Sequence, residues 1–220
     1  MPIQIAVFFA IDVTLLVLYS LDAALAEPLG AFFSYLVDLN SERNLPSWYS
    51  SVKLFLVGYL ILLHAYSLVE VNRNGAYMML LLAPMLLFMS IDETVGIHER
   101  IGVASDVFLP GQDRANSVFP ATGIWMFVLL LPAFVLILSI LRRLRSRVMP
   151  VHAYRVFVSG LVIFVVSAGG IEMLSNFAND GALSFLQIAS EEFGEMIGAT
   201  LMLWAAYIWV GNPFCTPTGS

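Results

Sequence analysis

Six long apolar stretches divide the sequence and constrain its fold more than any other feature. They cover residues 3–25, 48–69, 76–97, 123–144, 151–174 and 185–210. Each is about as long as the ~20 residues that a helix needs to cross a bilayer, and about twice as long as a strand of a membrane barrel. The sequence therefore predicts an all-α integral membrane protein, a bundle of about six transmembrane helices that forms a single domain over residues 1–220.

Composition and charge exclude several classes of protein. With 60% hydrophobic and 12% charged residues, the chain differs from soluble domains, which are about half apolar and a quarter charged. The 10 Lys and Arg are outnumbered by 16 Asp and Glu, so nucleic acid is not an expected partner. The single cysteine, Cys215, cannot form an intrachain disulfide or a CxxC motif. The expected partners are membrane lipids, with further copies of this chain or a larger membrane complex.

The basic residues predict the orientation of the bundle. Five arginines lie around the connection between the fourth and fifth stretches: Arg142, Arg143, Arg145, Arg147 and Arg155. Loops rich in Lys and Arg stay in the cytoplasm, so this connection and, after an even number of crossings, both termini are predicted to be cytoplasmic. Trp48 and Trp125 lie at the predicted outer ends of their stretches, and Trp209 lies at the cytoplasmic end of the last one. These positions fit the aromatic belts that form at the two membrane surfaces.

Acidic residues inside three of the apolar stretches are the strongest functional signal. An ionised Asp or Glu in hydrocarbon costs at least a few kcal/mol and normally faces the interior of the bundle. The candidates are Asp92, Glu93, His98 and Glu99 in a DExxxxHE pattern at the end of the third stretch, Glu172 in the fifth, and Glu191, Glu192 and Glu195 in an EExxE pattern in the sixth. In the predicted orientation, all three groups lie in the outer part of the bilayer.

Helical geometry tests whether these side chains can converge. Residues three, four or seven positions apart share a helix face, so the three glutamates of the sixth stretch form one stripe. On the third stretch, Glu93 and His98 flank the face of Asp92 on opposite sides. Either only a subset of these side chains belongs to one site, or the helix loosens near Gly96 so that His98 and Glu99 turn inward.

Several further residues are interpreted from their positions. Gly194 and Gly198 form a GxxxG pattern, which predicts that the sixth helix approaches a neighbour closely. Asp12 lies in the middle of the first stretch, and the sequence names no partner for it. Asp22, near the outer end of the same stretch, is a further candidate for the acidic group. His64 is interpreted as a buried core residue rather than a ligand.

A compact group of carboxyls needs a positive partner, because like charges a few Å apart cannot all stay ionised. Oxygen ligands with one imidazole suit one or two hard cations, Mn, Fe or Ca rather than Zn. The predicted metal ligands are Asp92, Glu93, His98, Glu99, Glu172, Glu191, Glu192 and Glu195. A metal in this position would activate water or oxygen against a lipid-like or periplasmic substrate, with Glu99 or Glu195 as the general base.

Two other functions stay open at this stage. The acids could form the proton or cation pathway of a transporter. Such a pathway needs polar residues further inward, and the sequence offers few: Asp12, Thr14, Thr200 and His64. Alternatively, the chain could be a non-catalytic subunit of a larger membrane complex, in which the acids join helices through hydrogen bonds.

These motifs also resemble a known group of proteins. The combination of Asp92-Glu93 with His98-Glu99, a glycine-rich fifth stretch with Glu172, and Glu191-Glu192-x-x-Glu195-Met196-x-Gly198 is similar to a family of uncharacterised bacterial multi-pass membrane proteins. The resemblance covers the chain from about Pro46 onward. It implies a location in the bacterial inner (plasma) membrane, supports the grouping of these residues and carries no activity.

Overall fold

The chain folds into a bundle of helices, as the apolar stretches predict. A computed structural model describes residues 1–25, 30–41, 44–112, 114, 117, 119–120, 122, 124–177 and 181–211. In these residues it contains eight helices and no strand: α1 (Ile3–Ala24), α2 (Ala31–Val37), α3 (Leu45–Leu68), α4 (Arg73–Val95), α5 (Ile97–Ser105), α6 (Met126–Arg145), α7 (Val151–Asn176) and α8 (Gly181–Gly211). Six of them, all but α2 and α5, are long and apolar enough to span a membrane. The prediction of an all-α membrane bundle is confirmed.

Polar caps explain why two helices begin earlier than predicted. The Asn44 side chain accepts a hydrogen bond from the backbone N–H of Ser47 at 3.3 Å, and α3 begins at the next residue after Asn44. The side chain of Asn72, the residue before α4, likewise accepts a hydrogen bond from the backbone N–H of Gly75 at 2.9 Å. These caps satisfy backbone donors that the first turn of a helix leaves unpaired. Both helices therefore start in polar sequence, a few residues before the apolar stretch.

The sequence does not predict two short helices, α2 and α5, the second of which begins at the last residue of the third apolar stretch. The helices α2 and α5 are only 7 and 9 residues long, too short to give a clear periodic signal in sequence. Two 3₁₀ turns follow α5, at Asp106–Phe108 and Pro110–Gln112. The predicted start of the fourth stretch, residue 123, and Cys215 lie outside the described residues.

The crossing helices pack as two close pairs, α3 with α4 and α7 with α8, which are joined where α3 meets α8. The contact between α7 and α8 is closest at glycines. A Cβ atom on Gly160 would lie 2.7 Å from the carbonyl oxygen of Gly198, and one on Gly198 would lie 2.8 Å from that of Gly160. A Cβ atom on Gly194 would overlap the Ser167 hydroxyl. The close approach predicted from the GxxxG pattern is confirmed.

The helix α6 is buried unevenly along its length. We call the end of the bundle that carries residues 142–155 the inner end, and the opposite end the outer end. α6 contacts α4 and α7, and its buried side chains lie mainly in its inner half: Ile137, Ile140, Leu141 and Leu144. Beside its outer half, a space lies between α6 and the two close pairs.

Candidate functional site

One large cavity lies between α4, α6, α7 and α8, with a volume of about 850 Å³. All eight side chains singled out in the sequence line it: Asp92, Glu93, His98, Glu99, Glu172, Glu191, Glu192 and Glu195. They come from the outer parts of α4, α5, α7 and α8. Glu99 lies at the exposed rim, and the other seven are half-buried.

The inner part of the cavity wall is apolar. It includes Met85 from α4, Phe134 and Ile137 from α6, and Leu161 from α7. At 1.5 Å per residue, Leu161 and Glu172 lie about 16 Å apart along α7. The cavity therefore extends from the acidic outer end through roughly half of a hydrocarbon core that is about 30 Å thick.

The helices around the cavity depart from regular α-helical geometry. α4 contains Pro84, which removes a backbone hydrogen bond. α6 begins with a π-helical turn over Met126–Leu130, and α7 changes to a π-helical turn over Val166–Ile171 and then a 3₁₀ turn over Glu172–Asn176. Each of these segments contributes at least one residue to the cavity wall. Such turns occur frequently at functional sites.

Gly96 turns the chain so that His98 meets Asp92. Its φ of 63° separates α4 from α5, and this left-handed conformation is costly for residues with a Cβ atom. The backbone N–H of His98 donates a hydrogen bond to Asp92 Oδ1 at 2.8 Å, and His98 Nδ1 lies 3.1 Å from Asp92 Oδ2. Of the two alternatives left open by the sequence, the structure shows the break at Gly96.

The neighbouring acids determine the charge of His98. Burial by itself would lower the pKa of His98, but the hydrogen bond and charge of Asp92, with the charges of Glu172 and Glu93, raise the pKa to about 9. The imidazole is therefore protonated at neutral pH. Among the described residues that line the cavity, it is the one cationic side chain.

Trp125 belongs to this site, which the sequence did not predict. Its Nε1 donates a hydrogen bond to Glu172 Oε1 at 3.3 Å, and its ring centroid lies 4.8 Å from that of His98. The aromatic-belt interpretation is wrong for Trp125 and Trp209, because both rings are buried, with 6% and 0% exposure. It fits Trp48, which is exposed.

The glutamates of α8 form the stripe that helical geometry predicts. Glu191, Glu192 and Glu195 all line the cavity, and Gln187 continues the row one turn earlier. Gln187 Nε2 donates a hydrogen bond to Glu191 Oε2 at 3.4 Å. The stripe places carboxyl groups along one wall rather than at a single point.

The arrangement does not include a ready metal site. In the part of the chain that the structure describes, no three His, Cys, Asp or Glu side chains are grouped so that they could hold a metal ion. The predicted ligands share one cavity but are distributed around its wall. Metal binding by these residues stays a prediction, and it would require side chains to move inward.

Sequence reasoning also missed Lys53, the partner of Asp12. Lys53 Nζ lies 2.6 Å from Asp12 Oδ1, and it donates to the carbonyl oxygen of Met196 at 2.9 Å. Thr200 Oγ1 donates to Asp12 Oδ2 at 2.7 Å. The available signal was Lys53 itself, a charged residue inside the second apolar stretch.

Two other polar residues named from the sequence lie away from the cavity lining. Ser34 Oγ, from α2, donates a hydrogen bond to Asp22 Oδ1 at 3.0 Å, so Asp22 joins α1 to α2 instead of adding to the acidic group. His64 is buried, with its ring centroid 5.9 Å from that of Trp209. Its interpretation as a core residue agrees with this position.

Comparison with known proteins identifies a family but no activity. No curated protein and no solved structure matches the chain. The profile of one family, described as Domain of unknown function (DUF8692), matches residues 6–210, which contain nearly all of the bundle. The resemblance to an uncharacterised family is thereby supported, and the chain belongs to the DUF8692 family.

Proposed function

We propose that this membrane protein binds a lipid-like molecule with a positively charged head group in the cavity between α4, α6, α7 and α8. The observation that carries the proposal is that one cavity has an acidic outer end and an apolar inner part. A hydrocarbon chain would bury apolar surface in the inner part, at about 25 cal/mol per Å². The head group would then lie among the acidic side chains.

The charge of the outer end favours a cationic head group. Seven carboxyl groups line it: Asp92, Glu93, Glu99, Glu172, Glu191, Glu192 and Glu195. In the described lining, His98 alone can offset them, and carboxylates in a low-dielectric site repel one another unless a positive charge lies between them. Trp125 adds an aromatic ring, a surface that attracts cations. An anionic head group would meet repulsion at the same wall.

The position of α6 supports entry from the bilayer. Leu130, Ala133 and Phe134 face the cavity, whereas Leu131 and Val135 of the same helix are 51% and 55% exposed on its outer surface. A single helix therefore separates this side of the cavity from the surrounding lipid. Displacement of the outer half of α6 would open this side of the cavity to the bilayer.

The apolar inner wall of the cavity is evidence against the transport alternative. An ion pathway needs polar groups along its length. In the described lining, the residues of α6 and α7 furthest from the acids, Ile137 and Leu161, are apolar. Lys53 and Asp12 bond to each other outside this lining. Binding of an amphiphile is therefore better supported than ion passage.

The proposal is tested with dodecylamine, dodecanol and dodecanoate, which share one hydrocarbon chain and differ in charge. We expect dodecylamine to raise the midpoint temperature of thermal unfolding of the purified protein in nanodiscs more than dodecanol does, and dodecanoate to raise it least. A ligand that binds the folded state alone stabilises it by mass action. Glu172→Gln and Glu191→Gln should each reduce the apparent affinity for dodecylamine.

Two variants of α6 supply the matched control. Ala133→Phe fills the cavity, whereas Val135→Phe adds the same ring to the outward face of the same helix. We expect Ala133→Phe to abolish the dodecylamine effect and Val135→Phe to retain it. Equal stabilisation by the three probes, or an unchanged response in Ala133→Phe, would contradict the proposal.

A metal ion at the acidic end is a second candidate, favoured by the single imidazole among the carboxylates. This donor set suits Mn, Fe or Ca, and such an ion would activate water with Glu99 or Glu195 as the base. The metal content of the purified protein, compared with a Glu192→Gln/Glu195→Gln double variant, tests it. About one or two equivalents that the variant loses would support a metal site at these residues. Metal-free protein that still binds dodecylamine would leave the cationic amphiphile as the ligand.

A further inference from the structure

A second, smaller groove lies at the inner end of the bundle, far from the acidic cavity. Its volume is about 380 Å³, and it is lined by Arg142, Arg145, Ser146 and Tyr154. The two arginines end α6, Ser146 follows them, and Tyr154 stands in the first turns of α7. This groove is independent of the proposed function of the cavity.

The groove lies within a strongly basic surface. Half of the 10 Lys and Arg of the chain are found here: Arg142, Arg143, Arg145, Arg147 and Arg155. All five are exposed, and in the described structure none of them forms an ion pair with an acidic side chain. The sequence contains no acidic residue between Asp113 and Glu172. The positive charge is therefore available to an external anion.

Tyr154 holds one of the two groove arginines in place. The guanidinium carbon of Arg145 lies 5.2 Å from the centroid of the Tyr154 ring, an attractive cation–π contact. A cation–π contact uses no hydrogen bond of the guanidinium, so its N–H donors stay available to other groups. Because Arg142 lines the same groove, two guanidinium groups can donate to one acceptor. Phosphate and carboxylate oxygens are the acceptors that arginine binds most strongly.

We infer that this groove binds the phosphate head group of an anionic membrane lipid. The arginine excess predicts that the inner end faces the cytoplasm, where the leaflet carries negatively charged lipids. The buried residues Leu141 and Leu144 alternate with Arg142 and Arg145 along α6, so the groove lies where the apolar helix ends. A lipid phosphate lies at this level, and its chains would follow the exposed apolar surface of α6.

An orientation signal and a binding groove depend on the arginines in different ways. An orientation signal depends on how many positive charges the connection carries, whereas a groove depends on which arginines line it. Arg142 and Arg145 line the groove, but Arg143 and Arg147 of the same segment do not. The pairs Arg142→Gln/Arg145→Gln and Arg143→Gln/Arg147→Gln therefore remove equal charge from different places.

The experiment uses the full chain in a maltoside detergent, titrated with phosphatidylglycerol, phosphatidylcholine or inorganic phosphate and followed by native mass spectrometry and thermal unfolding. We expect phosphatidylglycerol to bind about tenfold more tightly than phosphatidylcholine. Arg142→Gln/Arg145→Gln should lose this preference, and Arg143→Gln/Arg147→Gln should keep it. Tyr154→Leu, which retains every charge, should weaken phosphatidylglycerol binding by releasing Arg145.

Three results would overturn the inference. Equal loss in both arginine pairs would show a diffuse charge effect, and equal affinity for the two lipids would remove the specificity for an anionic head group. Inorganic phosphate that stabilises the protein as well as phosphatidylglycerol does at the same concentration would show that a free anion, not a lipid, occupies the groove. An unchanged midpoint of thermal unfolding in the absence of added lipid would show that the variants keep the fold.

Discussion

The Nζ atom of Lys53 lies 2.6 Å from Oδ1 of Asp12, and neither side chain exposes any surface. The pair joins α3 to α1, and Thr200 and the carbonyl oxygen of Met196 connect it to α8. α1 is the least buried of the six crossing helices. A single ion pair therefore contributes much of the polar contact that holds α1 against the bundle.

Removing one partner of this pair should destabilise the protein more than removing both. Asp12→Asn leaves the Lys53 ammonium buried without its counter-ion, which we expect to cost about 3 kcal/mol of unfolding free energy. The double variant Asp12→Leu/Lys53→Met removes both charges and should lie closer to the wild type. Thermal unfolding in detergent measures the stability of both variants. An Asp12→Asn protein as stable as the wild type would show that the pair is not needed for stability.

The contact between α7 and α8 should be sensitive to a single methyl group. Gly160→Ala places a Cβ atom against the backbone of Gly198, which cannot rotate away, and overpacking of this kind costs about 1–3 kcal/mol. Gly170→Ala is the control, because its Cβ would meet Val166 at an ordinary 3.6 Å. The midpoint of thermal unfolding should fall for Gly160→Ala and stay unchanged for Gly170→Ala. A similar fall in both would point to a general effect of lost glycine.

The turn at Gly96 should also depend on glycine. Gly96→Ala forces a residue with a Cβ atom into a left-handed conformation, at a cost of about 1–2 kcal/mol, and it strains the contact between His98 and Asp92. Gly102→Ala, in the following helix, has room for its Cβ atom and supplies the control. Unfolding in increasing denaturant in a constant detergent would compare them. If Gly96→Ala matched Gly102→Ala in stability, the left-handed turn would not be required.

The orientation of the bundle can be checked by labelling single cysteines. In a Cys215→Ser background, Asn40→Cys lies at the outer end and Ser146→Cys at the inner end. We expect a membrane-impermeant maleimide to label Asn40→Cys in intact cells and Ser146→Cys only after permeabilisation, because arginine-rich connections stay in the cytoplasm. The reverse pattern would invert the topology.

The acidic site shows where prediction from sequence stops. The depth of each carboxyl group follows from its position along a crossing helix, so the sequence could place Glu93, Glu172 and Glu195 at one level. It could not choose between a continuous helix and a break at Gly96, because the break depends on contacts between Asp92 and the residues beyond it. It also assigned Trp125 to the lipid surface, since a local pattern does not tell which face of a helix end is buried.

By itself, the sequence determined the crossing helices. The length of an apolar stretch is a local property, and in lipid a chain must satisfy its backbone hydrogen bonds within each segment, which a helix does. Only the tertiary structure decided which residues meet. Asp12 and Lys53 are 41 positions apart on different helices, and the cavity is lined by helices from distant parts of the sequence. Both are properties of the space between helices, which no single segment of the sequence specifies.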